Sequence, residues 1–276
     1  MDIETIRQKK QEIIDRFGVW TNHNIRLQDE LYTIDEKLAG SEVKVQRFLQ
    51  AIADLMGRSF TELRVLDLAC LEGLYGIELA LQGAQVVGIE GREENLAKAR
   101  FTKEVLRLEN IDFFQDDVRN LSAEKYGRFD VVLCLGIFYH LDAPNVFQFA
   151  QNIERVCNRL SVFDTHVSRN AEQSYCYKNR EYWGRNYTED RTSWASIGNQ
   201  NSVWLTRPSL YNLLVDVGFS SVYECHMPLI PKYEQMRFRE EADRSTFIAL
   251  KNKPVKLLST SLLTENPRNL EKEKFP

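Results

Sequence analysis

The sequence lacks the features that mark disulfide-rich, metal-binding or membrane-spanning proteins. Its five cysteines are scattered without a C-x-x-C pair. Four lie in or beside apolar runs, which indicates buried reduced thiols. No run reaches the roughly 18 apolar residues of a membrane span, and the first residues have no apolar core of signal-peptide length. We therefore expect a cytoplasmic protein with no membrane partner and no bound metal.

An excess of positive charge is also missing. Lys and Arg number 36 against 40 Asp and Glu, which gives a net charge of −4. No overall basic field therefore attracts nucleic acid. The hydrophobic content of 43% and the charged content of 28% are typical of a soluble globular protein. A chain of 276 residues accommodates one α/β domain with additions.

The pattern of apolar residues divides the chain into regions. Residues 1–60 have helical periodicity and are predicted to form an N-terminal helical lid, with Trp20, Asn24 and Tyr32 in its polar connector. Residues 61–253 alternate short apolar runs with helical segments, which predicts βαβ units and a parallel sheet. Residues 167–205 interrupt this alternation as a polar, aromatic insertion, and residues 254–276 read as a loosely held tail.

The strongest motif is an apolar run that ends in Asp67 and turns through Gly73 into a helix. The next apolar run ends in Glu90, about 20 residues later, where an acid suits the two hydroxyls of a ribose. A dinucleotide loop would carry glycines for a pyrophosphate, but Ala69 and Leu71 stand at two of those positions. S-adenosylmethionine has no pyrophosphate. Its ammonium group suits Asp67, and its carboxylate suits the amides of the loop.

Further cofactor contacts are predicted after the second, third and fourth strands. Gly91 follows Glu90 directly. Asp117 can accept a hydrogen bond from an adenine amino group, and the backbone N–H of Val118 can reach a ring nitrogen. Leu135 ends the fourth strand. The structural alternative for Glu90 and Asp117 is that they are solvated strand ends.

In this order, the motifs from Val65 to Asp164 resemble those of class I S-adenosylmethionine-dependent methyltransferases. The resemblance implies an α/β fold with a Rossmann-like, doubly wound, seven-stranded and mostly parallel sheet whose last strand is antiparallel. Ala69 and Leu71 depart from the family's usual glycines, which leaves the shape of the methionine pocket open. A weaker resemblance, carried by Tyr139-His140 and the Trp20 connector, is to the transfer-RNA wobble-uridine carboxymethyltransferase branch.

Methyl transfer requires an aligned acceptor and a group that removes its proton. Histidine is the first candidate because it titrates near neutrality. His140 follows the fourth strand and is the preferred base, and His166 ends the fifth strand and is the second candidate. His140 has a structural alternative, in which it caps a helix or packs over the adenine. An alternative role for Asp164 and His166 is to supply two ligands to a metal that polarises the acceptor.

The acceptor is predicted to bind in and beside the insertion. Tyr139 and Asp164 precede it, Trp183 offers a flat aromatic face, and Arg180 and Arg185 are expected to clamp an anionic group. The alternative for the other aromatics is a small core beneath the insertion.

The leading function is O-methylation of a small molecule with a natural-product or sugar-like hydroxyl. A transfer-RNA-modifying enzyme and a non-catalytic interaction domain are the alternatives. The aromatic residues near 175–204 leave a homodimer open.

Overall fold

Short apolar strands alternate with helices along the chain, as the sequence pattern predicts. The computed structural model describes residues 1–34, 42–189, 196–225, 242–251 and 260–263. These residues fall into unit 1, residues 1–120, and unit 2, residues 121–276.

Unit 1 contains a parallel three-stranded sheet and the helices that connect its strands. Its elements are α1 (Ile3–Phe17), β1 (Arg26–Gln28), β2 (Leu31–Tyr32), α2 (Glu42–Met56), β3 (Arg64–Leu68), α3 (Leu74–Leu81), β4 (Gln85–Glu90), α4 (Glu93–Val105) and β5 (Ile111–Gln115). The sheet has the order β3–β4–β5. Val65 lies opposite Val86, and Ile89 lies opposite Phe114. Because the strands are parallel, Asp67 and Glu90 both lie towards the carboxyl edge of this sheet.

The N-terminal region is helical as predicted, with a short antiparallel hairpin, β1–β2, between its helices. Helix α1 is capped by Asp2, whose side chain accepts a hydrogen bond from the backbone N–H of Thr5. Its inner face joins a hydrophobic cluster made of Ile6, Trp20, Leu27, Leu31 and Phe101. Since Phe101 belongs to α4, the N-terminal region packs on the cofactor-motif half of the chain.

Unit 2 contains a mixed sheet and a smaller antiparallel sheet. Its elements are α5 (Ala123–Tyr126), β6 (Phe129–Leu135), α6 (Asn145–Val156), β7 (Cys157–Ser168), β8 (Gln173–Tyr177), β9 (Arg180–Thr188), β10 (Asn201–Leu205), α7 (Arg207–Val217), β11 (Ser221–Cys225), β12 (Ala242–Leu250) and β13 (Thr260–Leu263). In the larger sheet β6 and β7 are parallel, whereas β12 is antiparallel to both β7 and β11. All seven predicted strands are therefore present, and the last of them, β12, is antiparallel as expected.

The insertion is more regular than its composition indicates. Strands β8, β9 and β10 form a three-stranded antiparallel sheet with β9 in the centre. Strand β13, which pairs with β11, is a short ordered element in the predicted tail. The rest of residues 254–276 lies outside the described residues, as do Trp194 and His226.

Four of the five cysteines are buried in the fold. Cys70, Cys134, Cys157 and Cys225 are buried and Cys176 is exposed, and all five are free. Among the helices that the structure describes, none is long and apolar enough to cross a membrane.

Candidate active site

The turn after β3 has the left-handed backbone conformation that glycine usually adopts, although two of its three left-handed residues are not glycine. Ala69 and Leu71 have φ values of 51° and 52°, in the left-handed region, and Gly73 has a φ of 89°. A Cβ on Gly73 would lie 3.0 Å from Cβ of Ala99, so this position requires glycine for its space as well as its dihedral angle. Ala69 and Leu71 therefore differ from the family's usual glycines in their side chains, while their backbone is left-handed.

Asp67 lies beneath this turn and is 1% exposed. Its Oδ2 accepts a hydrogen bond of 2.9 Å from the backbone N–H of Gly76. Burial raises the pKa of Asp67 to about 7, the Gly76 hydrogen bond opposes that rise, and the charge of Glu90 adds to it. The carboxyl group can therefore gain or lose a proton near neutral pH when a cation binds beside it.

Glu90, at the end of β4, connects the loops that follow β3 and β4. Its Oε2 accepts from the backbone N–H of Leu71 at 3.1 Å, and its Oε1 accepts from Arg92 N at 3.0 Å and from Asn95 Nδ2 at 3.3 Å. A carboxylate accepts about four hydrogen bonds, so capacity remains for a ribose hydroxyl. Gly91, the next residue, accepts from Gln115 Nε2 through its carbonyl.

Asp117 follows β5 and is paired with Arg119, a contact that sequence reasoning missed. Arg119 donates from Nε to Oδ2 at 2.9 Å and from its backbone N–H to Oδ1 at 2.9 Å. Burial raises the pKa of Asp117, but the hydrogen bonds and charge of Arg119 outweigh it and lower the pKa. The carboxylate is thus ionised and fixed in direction beside Val118, which is buried. An adenine amino group would share it with the guanidinium.

Glu72, inside the same turn, is a buried anchor that sequence reasoning also missed. It is fully buried and accepts hydrogen bonds from the backbone N–H groups of Thr21 (2.7 Å), Asn22 (3.1 Å) and His23 (3.0 Å). Lys98 Nζ lies 3.4 Å from its Oε1. An acid within an apolar turn was the available signal, but its partners are about fifty residues away in sequence.

His23 is held as a neutral ring. Its Nδ1 accepts a hydrogen bond of 3.1 Å from the backbone N–H of Leu74, at the start of α3. Burial lowers the pKa of His23 to about 4, the charge of Glu72 opposes this, and the charge of Lys44 adds to it. This histidine therefore has a structural role in joining the N-terminal connector to the cofactor turn.

In unit 2, the turn that follows β6 carries the preferred base. Leu135 ends β6 opposite Asp164, and Tyr139 and His140 lie in the short 3-10 helix Phe138–His140. Nδ1 of His140 lies 2.9 Å and 3.0 Å from the two carboxylate oxygens of Glu189. Glu189 comes from the end of the insertion's central strand, and no sequence motif indicated it.

His166 belongs to an aromatic cluster. Its ring stacks on Trp204 with centroids 4.7 Å apart and meets Tyr139 edge-on at 4.6 Å. Tyr187 also stacks on Trp204, at 4.4 Å, and the guanidinium of Arg185 lies 4.7 Å from the ring of Trp204. The structure therefore brings both candidate bases and Arg185 to one cluster.

Asp164 faces a cation that sequence reasoning did not find. Arg244 Nε donates to Asp164 Oδ1 at 2.6 Å, and Thr246 Oγ1 donates to Oδ2 at 3.2 Å. Arg244 Nη1 also reaches the hydroxyl of Tyr139 at 3.2 Å. In the described part of the chain, no group of three or more His, Cys, Asp or Glu side chains is arranged for a metal ion.

The two arginines predicted to clamp an anion, Arg180 and Arg185, lie on opposite faces of one strand. Successive residues of a strand point to opposite faces, so Arg180 and Arg185 of β9 lie on different sides. Arg180 lies 4.0 Å from Asp216 of α7, on the side of Tyr182. Trp183 is half-buried and joins α7 through its backbone, which accepts from Thr206 N and donates to Ser209 Oγ.

The strands and helices form an α/β, Rossmann-like fold, and the predicted cofactor residues follow its strands. Residues 65–159 match the family model described as a methyltransferase domain. The predicted likeness to class I S-adenosylmethionine-dependent methyltransferases, with S-adenosylmethionine as cofactor, is therefore confirmed for this part of the chain.

Individual relatives agree with this class. The chain is 31% identical over 119 residues to the ubiquinone biosynthesis O-methyltransferase of Acinetobacter baumannii (strain AYE), a match that covers 41% of this chain and 47% of the relative. The protein of the same description from Azotobacter vinelandii is 35% identical over 114 residues, covering 40% of this chain and 46% of the relative. The chain thus spans about half the length of these curated relatives.

A solved structure supports the fold over most of the chain. The N-terminal domain of EvdMO1, crystallised in the presence of SAH and D-fucose, has a TM-score of 0.71 and 24% sequence identity, covering 91% of this chain and 98% of that one. The predicted α/β fold is confirmed.

Proposed function

We propose that this protein transfers a methyl group from S-adenosylmethionine to a hydroxyl oxygen of a small molecule, with a natural-product or sugar-like acceptor. The observation that carries the proposal is His140, a histidine in the turn after β6 whose Nδ1 is held by a buried carboxylate among aromatic side chains. The similarity to ubiquinone biosynthesis O-methyltransferases, and to a domain crystallised in the presence of D-fucose, supports oxygen as the acceptor atom.

The residues of unit 1 fit the cofactor. Glu90 offers a buried carboxylate for the ribose hydroxyls, Asp67 a carboxyl group for the ammonium, and the left-handed turn from Ala69 to Gly73 brings backbone amides within reach of a carboxylate. Asp117 and the backbone of Val118 are assigned to the adenine. When bound, the cofactor supplies a methyl group on a sulfonium, and the carbon–sulfur electron pair returns to sulfur as the acceptor oxygen bonds to carbon.

The chain's own contribution is alignment and proton removal. A hydroxyl is a weak nucleophile, and a positioned base that takes its proton as the new bond forms contributes about 10²–10⁴-fold. His140 suits this role because its ring is held by a carboxylate, whereas the ring of His166 is stacked on Trp204. Tyr139 and Arg185, which are both half-buried, offer an aromatic and a cationic surface to an acceptor ring.

The test is a methyl-transfer assay that measures S-adenosylhomocysteine with a panel of monosaccharides, phenols and total transfer RNA. We expect turnover with a hydroxylated small molecule, and a fall in kcat of about 10²–10⁴-fold in His140→Ala. Titration calorimetry should show unchanged cofactor affinity in the same variant.

Other outcomes would contradict the proposal. Methylation of transfer RNA alone would favour the nucleic-acid alternative, and cofactor binding without turnover of any acceptor would favour the non-catalytic one. Full activity in His140→Ala would show that His140 is not the general base.

A further inference from the structure

The insertion does more than offer aromatic faces to an acceptor. The hairpin made of β9, β10 and the described residues between them, 189 and 196–200, contacts the 139–141 turn by side chains and backbone. Glu189 meets the ring of His140. Three further hydrogen bonds end on the carbonyl oxygens of the turn, from Asn199 Nδ2 to His140 (3.0 Å), from Trp204 Nε1 to Tyr139 (3.1 Å) and from Val203 N to Leu141 (2.8 Å).

The carboxylate of Glu189 is suited to fixing the proton of His140. Its side chain is only 4% exposed. Burial raises the pKa of Glu189, but the hydrogen bond and the charge of His140 outweigh burial, and the pKa is lowered. The group is therefore an ionised carboxylate at neutral pH, and an ionised carboxylate only accepts hydrogen bonds.

The direction of this hydrogen bond decides which nitrogen is basic. Because Glu189 can only accept, Nδ1 of His140 must carry a proton, and in the neutral ring the lone pair then lies on Nε2. When Nε2 takes the hydroxyl proton, the resulting imidazolium charge lies 2.9 Å from a carboxylate oxygen. A buried carboxylate at that distance stabilises the charge.

We propose that Glu189 is a positioning residue that holds His140 in the Nδ1–H tautomer with Nε2 as its basic atom, so that the inserted hairpin completes the acid–base centre. This inference rests on the proposed function for its catalytic part. The tautomer itself is a property of the protein without any acceptor.

Nitrogen-15 NMR of the histidine rings in the free protein at pH 8 tests the tautomer. We expect the Nδ1–H form for His140 in the wild type and in Glu189→Asp, and a shift towards the Nε2–H form in Glu189→Ala. An Nε2–H ring in the wild type would overturn the proposal, even if His140→Ala still lacked activity.

Steady-state kinetics with the acceptor found in the panel test the consequence. We expect Glu189→Gln to lower kcat by up to about 10²–10⁴-fold, the contribution of a positioned base, with little change in the KM for S-adenosylmethionine, and Glu189→Asp to recover part of the loss. Glu181→Gln is the matched control, because Glu181 is an exposed acid on β9, the strand that Glu189 directly follows.

The outcomes separate the two proposals. Equal losses in Glu189→Gln and Glu181→Gln, or a loss only in folding as measured by thermal denaturation, would overturn the positioning role. If the Nδ1–H tautomer is found but His140→Ala remains active, the histidine base of the proposed function fails instead.

Discussion

Ala69 and Leu71 hold a backbone conformation that L-residues adopt at a cost. The left-handed region costs roughly 1–2 kcal/mol for a residue with a Cβ, and both residues have φ near 50°. The neighbouring hydrogen bonds, from Gly73 N to Cys70 O and from Leu71 N to Glu90, keep the turn in this shape. The backbone conformation of this turn is therefore set by the surrounding contacts rather than by the intrinsic preference of Ala69 and Leu71.

Ala69→Gly should raise the free energy of unfolding by about 1 kcal/mol, since glycine removes the left-handed strain. Urea denaturation measures the change. Ala97→Gly, in the interior of α4, is the opposite control and should lower stability by about 1 kcal/mol. If both variants lose stability equally, the turn is not strained.

At the scale of an element, the N-terminal connector depends on two buried groups. Glu72 binds three successive backbone N–H groups, and His23 accepts from the start of α3. Removing a partner from a buried ion such as Glu72 is costly because the charge is then left unsatisfied. The connector is therefore part of the cofactor turn's support.

The connector should loosen in acid. The pKa of His23 is about 4 in the fold against its ordinary 6.5, so the unfolded chain binds the proton first as the pH falls from about 6.5 to about 4. Stability contributed by the neutral ring is complete above 6.5 and is lost across that window. Asp67, whose pKa is raised to about 7, acts in the opposite direction, because its proton stabilises the fold as the pH falls.

The His23→Gln variant separates the two effects. Glutamine can accept from Leu74 N but does not titrate, so the difference in stability between wild type and variant isolates His23. We expect that difference to shift against the wild type between pH 6.5 and pH 4, together with faster amide exchange at residues 21–23. A difference that is independent of pH would contradict the assignment.

For the whole molecule, a cofactor that binds only the folded chain should stabilise it. S-adenosylhomocysteine at about one hundred times its Kd should add about 2.7 kcal/mol to the free energy of unfolding, and NAD at the same concentration should add nothing. Calorimetry and thermal denaturation measure both.

Glu90→Gln should weaken S-adenosylhomocysteine binding by about 10- to 100-fold, since a hydrogen bond to a charged group contributes about 1.5–3 kcal/mol. Glu94→Gln, an exposed acid in the first turn of α4, is the control and should bind normally. Equal binding by both variants would show that Glu90 does not bind the ribose.

The local sequence pattern was sufficient to predict much of the fold and the candidate cofactor residues. The apolar runs of β3 to β7 and the acids at their ends follow from periodicity over a few residues, and they indicated the cofactor. Glu72, Glu189 and Arg244 could not be found in this way, because each acts on a residue 49 to 105 positions away. The sheet of the insertion was missed because its aromatic residues obscured the alternation of β8 and β9.

The β9–β10 hairpin contacts both the acceptor region and His140, and this double role limits how the protein can be re-engineered. Exchanging residues 173–205 for the corresponding loop of another methyltransferase, in order to accept a different molecule, would also remove the carboxylate beside His140 and the donors that hold the 139–141 carbonyls. A chimera would then lose rate for every acceptor, including those that it binds well. Grafts that carry their own acid at the position of Glu189 are the ones to build first.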